Sequence, residues 1–393
     1  VRQAVAAALA ACIILFGANA ARGDTLIDHV DGLTLNQAGE VERFEGILVS
    51  DDGRVEKMFR RGDKRPKKVR YLMDGKGRVL IPGLILADAD IMRLGLAIVL
   101  AKPSARRSEG ALPTVRPRPE DLDVALAEAQ QALLAAGITT TADMGTTIAH
   151  WQALRRAGDA GNLQLRVLAY APAIDDMILI GGPGPSPWLY DDRLRFLGLS
   201  LDNAAAHNDT QLRNLMSRAA MDRFQVAVRA QTPAQLTTLL DAVAELSLTY
   251  TGERRWRAQG LVQIAPADVP RLAALGVMTT AQHTPPLAPG TLPSPFAAMA
   301  DAVTSAQAAT RRTRQDALAD WTTRAAHAAF AETRLGRIAP GLRADFLLLG
   351  RDPMLAAAGE LRAMAVLETW VNGQRVWQAA SPAREEQAQP GGR

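Results

Sequence analysis

The chain reads as an α/β protein, a (β/α)-barrel of TIM type, complete or cut short, joined to a composite β-sandwich formed by both chain ends. Three observations carry this. Helix-then-strand units recur through the middle of the chain, short apolar runs broken by Asp-Gly turns fill residues 24 to 80, and β-type runs return after residue 337. Repeated helix-to-strand units need parallel strands with helices outside, because a parallel connection must cross over the sheet. No Gly-x-Gly-x-x-Gly turn follows any strand, which favours a barrel over an open dinucleotide-binding sheet.

Composition sets the outer limits. Hydrophobic residues make up 48% and charged residues 22% of the 393, which excludes a wholly disordered chain. The 45 Lys and Arg against 41 Asp and Glu leave a net charge of +4, so the chain is no polycation. At 5% aromatics it also lacks the stacking rows that single strands require, and no nucleic-acid partner is expected.

Residues 1–20 are expected to be a signal peptide. Arg2 precedes the apolar run Ala4 to Ala18, and Ala18-Asn19-Ala20 offers small residues for cleavage after Ala20. The run is too short to span a bilayer comfortably, so no permanent membrane anchor is expected. Leu9-Ala10-Ala11-Cys12 has the look of a lipoprotein box, but the apolar segment continues to Phe16, and lipidation is the weaker reading. Cys12 is the one cysteine of the chain, so the mature protein would have no disulfide and no thiolate ligand. An exported, periplasmic protein fits these features.

Residues 21–81 form the first part of the sandwich, with turns at Asp31-Gly32, Asp52-Gly53 and Asp74-Gly75. Within it, Arg60 to Arg70 holds seven Lys or Arg and one Asp. Such a run binds phosphate or an anionic membrane surface, or it is a solvated hairpin edge whose charge discourages strand addition; the second reading is favoured. Residues 82–334 form the barrel. Glu120 to Ala136 carries Leu122, Leu126, Ala129 and Leu133 at helical spacing and stops at Gly137, suited to a left-handed cap. Strand 138–142 follows, then helix 149–157 with strand 164–170, helix 209–222 with strand 224–230, and helix 266–275 with strand 277–281. The Gly181 to Pro187 stretch is proline-broken and reads as a stiff loop. Residues 335–380 return to the sandwich through Arg337-Ile338, Ala344 to Leu349, Val366 to Val371 and an Asn372-Gly373 turn. Residues 381–393 read as a disordered tail.

Two segments now carry a resemblance: Arg78-Val79-Leu80-Ile81-Pro82-Gly83-Leu84-Ile85, and Leu335-Gly336-Arg337-Ile338-Ala339-Pro340-Gly341-Leu342-Arg343-Ala344-Asp345-Phe346. They resemble the two seams of the amidohydrolase superfamily, where the chain leaves a composite sandwich for a metal-bearing barrel and later returns. Ala136-Gly137-Ile138-Thr139, Asp143-Met144-Gly145-Thr146, Arg351-Asp352-Pro353 and Val366 to Val371 narrow it to the exported branch with N-substituted formamide deformylase-like proteins. The resemblance implies metal-dependent hydrolysis of amide or related carbon–nitrogen bonds, in which divalent metal such as zinc activates a bound water.

The resemblance also implies where ligands should stand, and each position holds another residue type. Asp88 and Asp90 occupy the places of the first His-x-His pair, Ser200 that of the carboxylated lysine, Arg229 that of the third histidine and Gly260 that of the fourth. The strand for the catalytic aspartate has no counterpart between Pro285 and Pro295. The segment Lys102 to Pro119 is short and basic where relatives carry a long stretch, and the loop after Leu201 is reduced. A guanidinium at Arg229 opposes metal binding and suggests an ion-pair cluster of Asp88 and Asp90 with Arg229 across the barrel mouth.

Other chemistries lack support. His29, His150, His207, His283 and His327 show no zinc-site spacing, and no Gly-x-Ser-x-Gly elbow exists. Asp143, after strand 138–142, is either a functional residue at a strand end or a helix cap. No catalytic residue is therefore assigned. The expectation is an amidohydrolase-superfamily protein with impaired metal chemistry. The alternatives are an active hydrolase with a one-metal site on Asp88 and Asp90, and a non-enzymatic protein that binds a small amide-like ligand or a partner. No cofactor is assigned unless an altered zinc site survives, and the oligomeric state is not readable from sequence.

Overall fold

The structure, a computed structural model, describes residues 24–101, 117–202, 208–261, 264–279, 292, 294–306 and 311–380. The signal segment with Cys12, most of Lys102 to Pro119, His207, His283, most of Pro285 to Pro295 and the tail 381–393 lie outside these residues.

Seven short strands open the chain: β1 (Thr25–Asp28), β2 (Asp31–Leu35), β3 (Val41–Phe44), β4 (Gly46–Val49), β5 (Val55–Phe59), β6 (Tyr71–Asp74) and β7 (Val79–Pro82). The barrel region follows with β8 (Leu84–Ala89), α1 (Ile91–Ala101), α2 (Pro119–Ala135), β9 (Ile138–Asp143), α3 (Ile148–Asp159), β10 (Arg166–Ala171), α4 (Ile174–Gly181), β11 (Leu194–Asp202), α5 (Asp209–Met221), β12 (Gln225–Arg229), α6 (Pro233–Leu246), β13 (Arg257–Gln259), α7 (Asp268–Ala274) and β14 (Met278–Thr279). Helices α8 (Pro295–Thr304), α9 (Arg314–Asp320) and α10 (Thr323–Ala328) lead to β15 (Phe346–Leu349), α11 (Ala358–Arg362), β16 (Val366–Val371) and β17 (Gln374–Gln378).

Strands β8 to β14 pair in chain order, all parallel, as a curled seven-stranded sheet. Side-chain alternation divides its two faces. On β12, Val226 and Val228 join the outer core with Leu212, Leu236 and Leu240 of the helices, whereas Ala227 faces an inner cluster with Ile85, Leu168 and Leu197. Ala325, Ala326 and Ala329, from α10 and its exit, fill that inner face. Their small side chains let the helix approach the strands closely. Among the described residues the sheet stays open between β14 and β8, and the Ile85 N–H at the β8 edge donates to the Trp321 carbonyl at 2.7 Å. The expected helix stops are present: Gly137 and Gly276 adopt φ of +80° and +61°, which only glycine takes without strain.

The sandwich has a four-stranded sheet, β5-β4-β1-β6, and a six-stranded sheet, β17-β16-β15-β7-β2-β3. The second draws strands from both chain ends, with β15 antiparallel to β7. Ile27, Ile47 and Val49 of the first sheet pack on Leu80, Phe346 and Leu348 of the second.

Two local expectations are corrected. Arg337-Ile338 is not a strand: Gly336 turns at φ +88°, where a Cβ would collide with Ala326 and the Thr322 carbonyl, and the Ile338 N–H is satisfied by the Thr34 hydroxyl at 2.9 Å. Arg60 to Arg70 is not a hairpin edge either. It joins β5 to β6, which lie at opposite edges of their sheet, so the segment crosses the sheet face.

A buried ion pair fastens barrel to sandwich. Arg166 on β10 is fully buried and grips Asp345 through Nε and Nη2, at 2.5 and 2.9 Å. The same guanidinium donates to the Asp191 and Asp192 carbonyls and to the Asn372 side chain. Beside it, the Asp192 carboxylate accepts from Arg54, Arg334 and Arg343. Burial works against its charge, but Arg343 and the other cations outweigh that and hold its pKa below the usual value.

Candidate active site at the strand tips

In a barrel of parallel strands, functional groups gather at the carboxyl ends of the strands. Asp88, Ser200, Arg229 and Gly260 are all at or beside such ends. Register places Ser200 opposite Ala227, Asp202 opposite Arg229, and Arg229 opposite Gln259. Arg229 reaches across to β8, and its Nη2 donates to Asp88 Oδ1 and Oδ2 at 3.0 and 3.2 Å. Both side chains are about a quarter exposed, at 26% and 22%. The cluster expected from sequence is therefore present for Asp88 and absent for Asp90. Asp90 turns the other way, caps α1 by accepting the Arg93 N–H at 3.0 Å, and lies against the Cα of Gly145. Sequence alternation could not foresee this, because a register shift between Leu86 and Ala89 breaks the two-residue period at that point.

Gly260 adopts φ +67°, and a Cβ there would stand 3.2 Å from both Cγ and Nη1 of Arg229. The arginine thus lies over the bare glycine. Gly260→Ala is expected to cost about 1–2 kcal/mol from the left-handed backbone alone, plus displacement of Arg229. In Arg229→Ala the displacement component should vanish, so thermal midpoints of the two single variants and the double variant should be non-additive. Strict additivity would show that Arg229 does not rest on Gly260.

Asp143 is buried at the β9 exit, 1% exposed. Its Oδ1 accepts the Ile91 N–H of α1 at 2.8 Å, and its Oδ2 accepts the Thr146 hydroxyl. It caps α1, not the helix that follows it, whose cap is Thr147. Burial first, then the charge of Asp90, pushes its pKa up to about 7, against the lowering effect of its two hydrogen bonds.

Deeper in the barrel lies a polar network that the sequence reading missed. The Tyr170 hydroxyl donates to Gln225 Oε1 at 2.5 Å, and Arg257 donates to the Tyr170 hydroxyl at 3.0 Å and to the Ala87 carbonyl at 2.5 Å. Gln225 Nε2 donates to the Arg255 and Ala328 carbonyls, each at 2.7 Å. Burial raises the Tyr170 phenol despite the nearby guanidinium of Arg257. Arg257 Nε and both polar atoms of the Gln259 amide have no partner among the described residues. The available signal was polar residues two apart on short strands, Arg257-x-Gln259.

Tested against a divalent metal, this donor set does not fit. Gly260 supplies no donor atom, Ser200 cannot be carboxylated, Asp88 is engaged by a cation, and Asp90 caps a helix. Among the described residues no three His, Cys, Asp or Glu side chains converge as a metal set. His29 contacts Asp74, His150 contacts the Gly145 carbonyl, and His327 lies 3.6 Å from Glu332. A cleft of about 550 Å³ opens instead on the sandwich, between Lys76, Arg78, Glu368, Trp370 and Arg375. The Glu368 carboxylate there is already held by Arg78 and Trp370, and the cleft is remote from the strand tips in the topology.

Comparison with known proteins agrees with this architecture. The fold is that of metal-dependent hydrolases with a TIM barrel. An uncharacterized metal-dependent hydrolase from Pyrococcus horikoshii OT3 superposes with a TM-score of 0.69, at 14% identity, over 86% of this chain and 99% of that one. A triazine hydrolase from Arthrobacter aurescens superposes with a TM-score of 0.68, at 15% identity, over 92% and 96% of the two chains. Residues 288–377 match the sequence pattern described as amidohydrolase family. A 61-residue stretch is 44% identical to an N-substituted formamide deformylase of Arthrobacter pascens. That stretch covers 16% of this chain and only 11% of the deformylase. The likeness is thus one of sequence to amidohydrolases over short stretches, and one of fold over most of the chain.

Proposed function

We propose that this is an exported amidohydrolase-superfamily protein, of the formamide deformylase-like branch, whose metal-dependent hydrolysis of carbon–nitrogen bonds is impaired. The observation that carries the reading is the Arg229 guanidinium, bonded to Asp88 and lying over Gly260. A fixed cation at that point repels a divalent ion and takes up the Asp88 carboxylate. Removal of Arg229 alone would not restore a site, since Gly260 and Ser200 still lack ligand groups.

A second reading, binding of a small amide-like ligand without turnover, is favoured by Gln259. Its buried amide has both a free donor and a free acceptor among the described residues, the complement of another amide. Exposed to excess zinc and then dialysed, the purified protein should retain less than stoichiometric metal by elemental analysis and show no chelator-sensitive turnover of N-formyl or N-acyl amides. Stoichiometric zinc together with turnover that a chelator abolishes would overturn the proposal. A calorimetric titration of the same amides with chelator-treated protein reads the second reading separately.

A further inference from the structure

The segment from Arg60 to Arg70 crosses one face of the four-stranded sheet and is pinned there. Arg65 Nε donates to both oxygens of Asp28 at 3.0 Å, its guanidinium lies 5.0 Å from the centre of the Phe59 ring, and Val69 packs on Leu26, Leu48 and Phe59. Arg60 is also committed, to Glu42. The other cations are not. Arg61, Lys64, Lys67 and Lys68 are exposed and have no carboxylate within ion-pair distance among the described residues, while Arg70 stacks on Tyr71. Asp63, whose carboxylate accepts the Arg60 N–H, and exposed Glu56 and Asp74 are the acids nearest in sequence.

An apolar side chain accompanies this charge. Pairing sets Leu72 beside Leu26, and Leu26 beside Leu48, so Leu72 belongs to the face that the basic segment covers. Yet Leu72 is 69% exposed, whereas Tyr71, next along the strand, faces the other way. A phosphate chain alone would use the cations and leave Leu72 idle. A bilayer uses both: anionic headgroups attract the lysines, and the leucine enters the interface.

We propose that this outer sheet face docks the protein reversibly on an anionic lipid bilayer. Attachment through this face is peripheral, because it rests on surface side chains of a sheet. Each basic side chain near such a surface raises partitioning by about fivefold.

Co-sedimentation of the full protein with vesicles tests it. Vesicles of phosphatidylcholine with about a third phosphatidylglycerol should bind the protein, pure phosphatidylcholine vesicles should not, and about 0.5 M salt should release it. The triple variant Lys64→Gln, Lys67→Gln, Lys68→Gln should bind on the order of 100-fold more weakly. Leu72→Asp should also weaken binding, without changing binding to heparin. All three lysines and Leu72 are exposed, and unchanged circular dichroism and melting would show that the variants remain folded. Absence of binding to the anionic vesicles, equal binding to neutral ones, or an unaffected triple variant would overturn the proposal. So would heparin binding as tight as vesicle binding with both indifferent to Leu72→Asp, since the partner would then be a generic polyanion.

Discussion

Replacing Arg166 with methionine is expected to lower the stability of the fold by about 3–5 kcal/mol, the usual cost of stranding one half of a buried ion pair. Asp345 would be left 6% exposed with its charge unmatched, although it still accepts the Asn372 N–H. The Asp192 carbonyl would lose the Arg166 donor as well, and so would that of Asp191, which keeps the Asn372 Nδ2 donor. Lysine is no remedy, because one ammonium cannot reproduce the fork that spans both Asp345 oxygens and the Asn372 amide. The informative companion is Arg166→Met with Asp345→Leu, which removes both charges and should recover part of the loss. Denaturant unfolding of the parent, both single variants and the double variant gives the coupling. A loss below about 1 kcal/mol in the single variant would mean that Arg166 does not fasten the barrel to the sandwich.

Stability should fall as pH rises from about 4 to 7, and Asp143 should be a main cause. In the unfolded chain its carboxyl gives up its proton near the ordinary value of 3.8, whereas in the fold it holds it up to about 7. Within that window the native state binds more protons than the unfolded state, so each rise in pH favours unfolding; below it both states are protonated and the effect disappears. The full penalty above pH 7 amounts to up to about 4 kcal/mol. The charges bearing on Asp143 are those of Asp90 and Asp88, and His150 lies beyond Gly145. Asp143→Asn keeps an acceptor for the Ile91 N–H and carries no charge. It should flatten the slope and raise the melting temperature at pH 8 relative to the parent. Melting curves from pH 4 to 8 check this, and an unchanged slope in the variant would assign the pH dependence to other groups.

Much of the architecture was legible in the sequence because helix periodicity and glycine stops are local properties. Leu122, Leu126, Ala129 and Leu133 face the core as their spacing requires, and Gly137 ends the helix. The return of the chain to the sandwich could be read from the Asn372-Gly373 turn, which adopts φ of +54° and +67°. What escaped depends on pairing between distant strands. The placement of β5 and β6 at opposite edges cannot be read from Arg60 to Arg70, since charge marks exposure and not topology. In the site, residue types alone were enough to question the metal and to pair Arg229 with Asp88. The direction taken by Asp90 depends on a register shift, and the network of Tyr170, Gln225 and Arg257 assembles from three separate strands.

The pairing of β15 with β7 also bears on biosynthesis. A ribosome releases β7 long before it reaches Phe346–Leu349, and the whole barrel is translated in between. Throughout that interval the nascent amino-terminal strands expose an edge whose native neighbour has not yet been made, a state prone to wrong pairing. Strands translated after the barrel therefore complete a sheet begun before it, and this step is expected to gate the maturation of the whole molecule.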